Sequence, residues 1–131
     1  MKVVVDENLP PALAKSLAAL FVGMHEIIHL RDRYGPSVKD IEWIPELSAE
    51  GRWVVISGDR QITKVRAEYE AFRSSRLTGF FLSKGLNKAP LVKKMERILA
   101  LWPYIEQQVT LVQGGAMFEL PMTSTKLSML R

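Results

Sequence analysis

Two short apolar runs, each followed by an aspartate, constrain what this chain can fold into more than any other feature. Val3-Val4-Val5 precedes Asp6, and Val54-Val55-Ile56 precedes Ser57-Gly58-Asp59. A β-branched run without polar alternation is typical of a strand buried on both faces, as in a parallel sheet. Because ligands of open α/β sheets bind beyond the carboxyl ends of the strands, we expect both aspartates at a ligand-binding edge.

Segments with strand character and segments with helix character alternate along the rest of the chain. Besides the first strand, which ends before Asp6, strands are predicted over residues 25–30, 53–56, 78–82 and 116–120. Helices are predicted over about residues 10–22, 38–50, 62–76 and 88–109. The segment after the second strand is predicted to be a polar loop. This alternation predicts one α/β domain of three layers, with helices on both faces of a central, mostly parallel sheet.

Capping residues and prolines predict where the helices begin and end. Asn8 and Asn87 are expected to cap the helices that follow them, and Ser37 to Asp40 resembles a capping box. Pro45 and Pro103 are expected to bend or interrupt their helices. Residues 1–120 are then predicted to form the domain, and residues 121–131 either a last strand or a free arm.

The composition narrows the class of protein. A chain of 131 residues suits one domain with one core, and the lack of cysteine excludes disulfides, thiolate metal sites and cysteine nucleophiles. The longest apolar run, residues 17–24, is too short to cross a bilayer, and the acidic start does not suit a signal peptide. We therefore expect a cytoplasmic protein with no membrane partner.

Charge is distributed unevenly between the two halves of the sequence. Residues 1–59 carry a net charge of −3, and residues 60–131 carry a net charge of +7. A basic surface beside an acidic pocket suits a polyanion that is held near bound metal. The alternative interpretation is an ordinary scatter of lysines over a soluble surface.

Three aspartates, Asp6, Asp40 and Asp59, are the candidate catalytic residues and metal ligands. Mg²⁺ and Mn²⁺ prefer oxygen ligands, keep several waters and polarise phosphoryl groups, so a few carboxylates suffice to hold them. Carboxylates crowded at one point repel each other unless a cation is present, which argues against a purely structural role. Taken singly, each aspartate also has a local explanation as a helix cap, an Asx-turn or a partner of a helix dipole.

These aspartates belong to an ordered set of motifs. The set runs from Asp6-Glu7-Asn8-Leu9-Pro10 through residues 25–32, Asp40 and residues 51–60 to Gly79-Phe80-Phe81-Leu82 and Trp102-Pro103. It resembles the PIN-like domain family over roughly residues 1–120, and within that family the branch related to VapC-type toxins of toxin–antitoxin pairs. The resemblance implies a PIN-like fold and a Mg²⁺- or Mn²⁺-dependent nuclease that usually acts on RNA.

The resemblance also implies roles for the acids. The first acid of the family, its helix-start acid and its strand-end acid correspond to the three aspartates in chain order. Many relatives carry a further aspartate two residues beyond the last one, where this chain has Gln61. Glu7 and Glu68 are the candidates to replace that ligand. Glu7 would point away if the first strand continued, and Glu68 lies about two turns into the next predicted helix.

Four further residues are candidates for contacts with the substrate or the acids. Arg60 and Lys64 follow the last aspartate at helical spacing and could hold a phosphate, with arginine the better bidentate partner. Asn8 and Ser57 could position the acids or bond a water on the metal. The alternatives are a solvated helix face for the first pair and bonds to local backbone for the second. The three tryptophans are expected to pack in the core rather than to stack on bases.

The preferred interpretation is a metal-dependent endoribonuclease, the toxin of a toxin–antitoxin pair. By resemblance, its partners are RNA, a cognate antitoxin and a second copy of the chain. Two alternatives stay open: a domain of the same family that has lost catalysis and only binds RNA or protein, and a phosphoacceptor receiver-like domain. A zinc protease is a weaker alternative, because the pattern His25-Glu26-Ile27-Ile28-His29 needs a helix and this run has strand character.

Overall fold

The sheet is mostly parallel, as predicted, and the two valine-rich runs are its central neighbours. Within residues 1–130, which the computed structural model describes, the strands are β1 (Lys2–Val5), β2 (Glu26–His29), β3 (Val54–Ser57), β4 (Thr78–Leu82), β5 (Met117–Leu120) and β6 (Ser128–Leu130). Their order across the sheet is β2-β1-β3-β4-β5-β6. In this part of the chain β1 to β5 are parallel, and β6 runs antiparallel to β5.

Helices cover both faces of the sheet, which confirms the three-layer prediction. In the same residues they are α1 (Pro11–Leu20), α2 (Leu30–Tyr34), α3 (Asp40–Glu50), α4 (Gln61–Lys64), α5 (Arg66–Arg73), α6 (Lys84–Asn87) and α7 (Leu91–Leu111). The first and last of these pack on one face, and α3 and α5 pack on the other. None of the helices described here combines the length and apolar character needed to cross a membrane.

The core is divided between the two faces because successive residues of a strand point to opposite sides. Val3 and Val5 pack with Leu17 on the face that α1 and α7 cover. Val4 packs with Trp43 on the face that α3 and α5 cover. Burying each such aliphatic side chain stabilises the fold by roughly 1.5–3 kcal/mol. Burial on both faces explains why the runs contain no polar alternation.

The two predicted asparagine caps are wrong. The amide oxygen of Asn8 accepts a hydrogen bond from the backbone N–H of Gly58 at 2.8 Å, and Pro10 occupies the position before α1. Asn87 ends α6, and Pro90 occupies the position before α7. Local capping signals were overridden here by a partner distant in sequence and by a short helix that the periodicity did not predict.

The segment between β2 and α3 is more regular than predicted. The helix α2 fills most of the predicted loop, because His29 Nδ1 accepts a hydrogen bond from the backbone N–H of Arg31 and caps it. The helix α3 begins at Asp40 rather than at a capping box. The backbone N–H of Ser37 donates instead to the carboxylate of Glu7 at 2.9 Å.

Prolines affect the helices less than predicted. The helices α3 and α7 run continuously through Pro45 and Pro103. Each proline removes one backbone hydrogen bond, but both helices bury a face on the sheet, and that burial outweighs the local loss. Conversely, the helix predicted over residues 62–76 is divided into α4 and α5 at Val65, whose backbone is extended.

The C-terminal segment belongs to the domain. The strand β6 pairs antiparallel with β5 and extends the sheet beyond it. The loop before β6 is held by Arg97 of α7, which is 8% exposed and donates to the carbonyl oxygens of Pro121 and Ser124. Arg131, which belonged to the predicted tail, lies outside the described residues.

Candidate active site

The strand order creates a crevice between β1 and β3. After β1 the chain continues to β2, which pairs with one edge of β1. The later strand β3 pairs with the opposite edge of β1. Ligands of open α/β sheets bind at such a switch point, outside the carboxyl ends of the strands. Asp6 follows β1 and Asp59 lies two residues beyond β3, so the fold delivers both to this position.

An open cleft of about 350 Å³ lies at this edge of the sheet. Its polar lining is Asp6, Glu7, Asn8, Asp40, Asp59 and Gln61. The structure therefore brings the three predicted aspartates together, two from strand ends and one from the start of α3.

Asp6 is held on both carboxylate oxygens. Its Oδ1 accepts a hydrogen bond from the backbone N–H of Glu7 at 2.7 Å, and its Oδ2 accepts one from Ser57 Oγ at 3.0 Å. Its own N–H continues the strand ladder to the carbonyl oxygen of Ile56. Ser57, which is buried, therefore positions this acid, one of the two predicted roles of that serine.

The surroundings of Asp6 disfavour the ionised form of its side chain. Burial raises the pKa of Asp6 to about 6, and the negative charges of Asp40 and Asp59 add to the effect. The hydrogen bonds from Glu7 and Ser57 lower the pKa but do not offset burial. At neutral pH the side chain is ionised beside two other acids, an arrangement that a bound cation would stabilise.

Asp40 and Asp59 each accept one local hydrogen bond. Trp43 Nε1 donates to Asp40 Oδ1 at 2.8 Å, one turn further along α3. The backbone N–H of Gln61 donates to Asp59 Oδ1 at 2.9 Å, as in an Asx-turn. A carboxylate offers about four lone-pair sites, so these bonds fix the side chains and leave capacity for a ligand.

Glu7 lines the cleft, because the strand ends before it. The backbone N–H of Leu9 donates to the carbonyl oxygen of Asp6 at 3.0 Å, so the chain turns after β1 and Glu7 does not point away. Its carboxylate is occupied by the N–H of Ser37 and by Arg31 at 3.5 Å. Those partners leave Glu7 less available to an ion than the aspartates are.

Glu68 approaches the site from α5. The extended backbone at Val65 redirects the helix, so α5 packs against α3 and brings Glu68 beside Asp40. Burial raises the pKa of Glu68, and the charge of Asp40 raises it further. Glu68 Oε2 is buried and has no hydrogen-bond partner within residues 1–130.

The donor set fits a partly hydrated divalent cation better than a complete cage of side chains. In the part of the chain that the structure describes, no group of three or more His, Asp or Glu side chains is arranged to hold one ion. Mg²⁺ keeps several waters and needs only one or two carboxylates. The carboxylate and amide oxygens of the lining and the crowded charge at Asp6 fit such an ion, and the unpartnered oxygen of Glu68 lies beside Asp40. Direct ligation by all three aspartates stays a prediction.

The predicted substrate-binding residues divide into two groups. Asn8 lies in the acidic cleft, where its Nδ2 donates to Ser57 Oγ at 3.0 Å and so supports the serine that holds Asp6. Arg60 and Lys64 do not line that cleft; they line a neighbouring cavity. Contact of any of these residues with a substrate stays a prediction.

Two partners of site residues were missed from the sequence. Trp43 lies three residues after Asp40, a helical spacing that could have suggested their hydrogen bond. Glu119 of β5 forms an ion pair with Arg60. No local signal connects that pair, because it depends on the order of the strands.

The histidine pattern is structural. The run from His25 to His29 lies before and within β2 rather than on a helix, so it lacks the geometry of a zinc protease. His29 is fully buried and its Nε2 bonds to the carbonyl oxygen of Leu9, while His25 Nε2 accepts from Trp102 Nε1. All three tryptophans are buried, as predicted.

Together, the parallel sheet and the acidic cleft at its switch point define an α/β domain with a candidate active site. The sequence profile of the PIN-like domain family matches residues 1–84, which include β1 to β4 and all three aspartates. The chain belongs to the PIN-like domain family, which is generally nuclease-related. Comparison with curated proteins and with solved structures found no match.

Proposed function

We propose that the chain is a divalent-metal-dependent endoribonuclease whose catalytic site is the acidic cleft. The observation that carries this proposal is the convergence of Asp6, Asp40 and Asp59 at the switch point of the sheet. The receiver-like alternative loses support because the chain belongs to a nuclease-related family. Loss of catalysis in a binding domain is the remaining alternative.

The chain's own residues prepare the site for an ion and a phosphodiester. When bound, Mg²⁺ or Mn²⁺ would supply Lewis-acid polarisation of the phosphoryl group. Ser57 and the N–H of Glu7 hold Asp6 in one orientation, and Trp43 does the same for Asp40. Fixing these carboxylates before the substrate arrives reduces the reorganisation that the reaction requires.

We further propose that the protein is the toxin of a toxin–antitoxin pair. The support is the resemblance of its motifs to the VapC-related branch and the openness of an acidic cleft on the surface. An antitoxin that offers an arginine to these carboxylates would take the place of the metal through charge-assisted hydrogen bonds. A homodimer and a cytoplasmic location are part of the same proposal by family resemblance.

RNA cleavage tests the nuclease. The purified protein is incubated with a mixture of structured RNAs in Mg²⁺, in Mn²⁺ and in EDTA, beside Asp6→Asn and Asp59→Asn. Asp32→Asn is the matched control, because Asp32 is exposed on α2 and does not line the cleft. We expect ion-dependent cleavage by the wild type and the control, and none by the other variants.

Two results would contradict the proposal. Full activity of both site variants would remove the cleft from the reaction. Absence of cleavage together with absence of Mn²⁺ binding in isothermal titration would indicate a domain that has lost catalysis. Mn²⁺ binding without cleavage would point to a narrow choice of RNA, which a wider panel of substrates then tests.

A further inference from the structure

A second cavity adjoins the acidic cleft on its β4 side. It has a volume of about 370 Å³ and lies between the loop after β3 and the short helix α6. Its charged and amide lining is Asp59, Arg60, Lys64, Lys84, Asn87 and Lys88. Asp59 lines both spaces, so the two are adjacent.

Gly58 is the thin wall between the two spaces. A Cβ atom at this position would lie 2.7 Å from Asn87 Oδ1 and 3.2 Å from Asn8 Oδ1. Asn8 lines the acidic cleft and Asn87 lines the second cavity. Gly58 therefore lies between one side chain of the acidic cleft and one side chain of the second cavity.

The second cavity carries an excess of positive charge. Lys64, Lys84 and Lys88 are exposed, and none of them takes part in an ion pair within residues 1–130. Arg60 is restrained by Glu119, which draws its guanidinium towards β5. Asp59, the acid in this lining, offsets one of these charges, and the remaining like charges favour an added anion. The lining therefore suits a phosphate, as the neighbouring lining suits a cation.

We propose that the second cavity binds a backbone phosphate of an RNA strand whose scissile phosphate lies in the acidic cleft. Lys84 and Lys88 are the contacts, and the strand crosses the sheet edge over Gly58. The inference rests on the proposed nuclease function and adds two residues and a direction to it. Because the contacts are with phosphate, they position the strand without reading its sequence.

Binding without cleavage tests this path. A labelled single-stranded RNA is titrated in EDTA, and fluorescence anisotropy is measured over a series of salt concentrations. The variant Lys84→Gln/Lys88→Gln is compared with Lys15→Gln/Lys126→Gln, which removes the same charge from exposed positions that do not line the cavity. Each lost phosphate contact reduces the slope of log K against log salt by about 0.7 for a single strand, so we expect a reduction of about 1.4 in the first variant.

The outcomes separate this inference from the nuclease assignment. Weaker, less salt-dependent binding in Lys84→Gln/Lys88→Gln alone supports the path, whether or not the protein cleaves RNA. Equal loss in both double variants, or no RNA binding by the wild type, overturns it even if cleavage by the acidic cleft is shown. Polyglutamate of matched charge is the competing probe. Lysine-dependent binding of polyglutamate without binding of RNA would also overturn the proposal.

Discussion

Asp6 should make the stability of the metal-free protein depend on pH. Its pKa in the folded state is about 6, above the ordinary aspartate value of 3.8, so the folded state binds the proton more tightly than the unfolded state. Stability from this group is therefore present at low pH and is lost as pH rises towards and through 6. Between pH 5 and 7.5 the expected loss of unfolding free energy is about 1–1.5 kcal/mol.

Urea unfolding in EDTA at the two pH values measures this loss. Asp6→Asn should flatten the dependence, because an amide does not ionise and can still accept from the N–H of Glu7. Asp32→Asn, on the exposed face of α2, should leave it unchanged. A wild-type protein equally stable at both pH values would contradict the raised pKa of Asp6 in the folded state.

Gly58 should be required for activity more than for stability. In Gly58→Ala the new methyl group meets the side-chain oxygens of Asn8 and Asn87, which must move. Asn8 supports Ser57 and hence Asp6, and misplacement of reacting groups by about 1 Å can cost as much as 100-fold in rate. We expect RNA cleavage to fall by about tenfold or more.

Gly85→Ala is the matched control for that substitution. Its Cβ would have no neighbour within 4 Å, so cleavage should remain at the wild-type rate. Unfolding in urea should show that Gly58→Ala loses no more than about 1–2 kcal/mol, because the displaced atoms are the amide ends of two side chains and one methyl group of the buried Leu9. An active Gly58→Ala protein would indicate that the two asparagines do not support the site.

At the scale of elements, the loop before β6 depends on one buried guanidinium. Arg97→Met keeps the apolar stem of the side chain but removes the donors to Pro121 and Ser124. Hydrogen bonds from a charged group contribute about 1.5–3 kcal/mol each when buried, so this loop should open more often. Trypsin should then cut faster after the exposed Lys126.

Mass spectrometry of the digest follows that cleavage. Lys94→Met is the control, since it lies one turn earlier on α7 and its side chain makes none of the described hydrogen bonds to this loop. If both variants are cut at the wild-type rate, β6 is held by its pairing with β5 and not by Arg97.

The elements also show which parts of the structure can be predicted from residues that are close in the sequence. The strands β1, β3 and β4 could be predicted because each carries an apolar run that the sheet buries on both faces. The prediction that Asn8 caps α1 was wrong, because the amide of Asn8 bonds to Gly58, fifty residues later in the chain. Asp6 and Asp59 could be placed from strand ends alone. The approach of Glu68 depended on a break at Val65 that helical periodicity did not indicate.

At the scale of the whole molecule, a divalent cation should stabilise the fold in a pH-dependent way. An ion that binds only the folded state adds RT ln(1 + [ion]/Kd), which is about 2.7 kcal/mol at one hundred times Kd. Protons compete with the ion for Asp6, whose pKa is about 6, so the gain should be larger at pH 7.5 than at pH 5.

Thermal unfolding with and without Mn²⁺ at both pH values measures this gain. Asp59→Asn should reduce the shift, and Asp32→Asn should not, because only the former lies in the cleft. A shift of the same size in all three proteins would indicate that Mn²⁺ binds elsewhere on the surface.

The arrangement around Gly58 creates a gradient of electrostatic potential along this edge of the molecule. The acidic cleft lies on the β1 side and the lysines lie on the β4 side, and Asp59 lines both spaces. A long polyanion arriving from solution is attracted to the lysines and repelled by the aspartates, so it is turned before it docks. Salt should therefore slow the encounter itself, and a strand should enter the site from one end and not from the other.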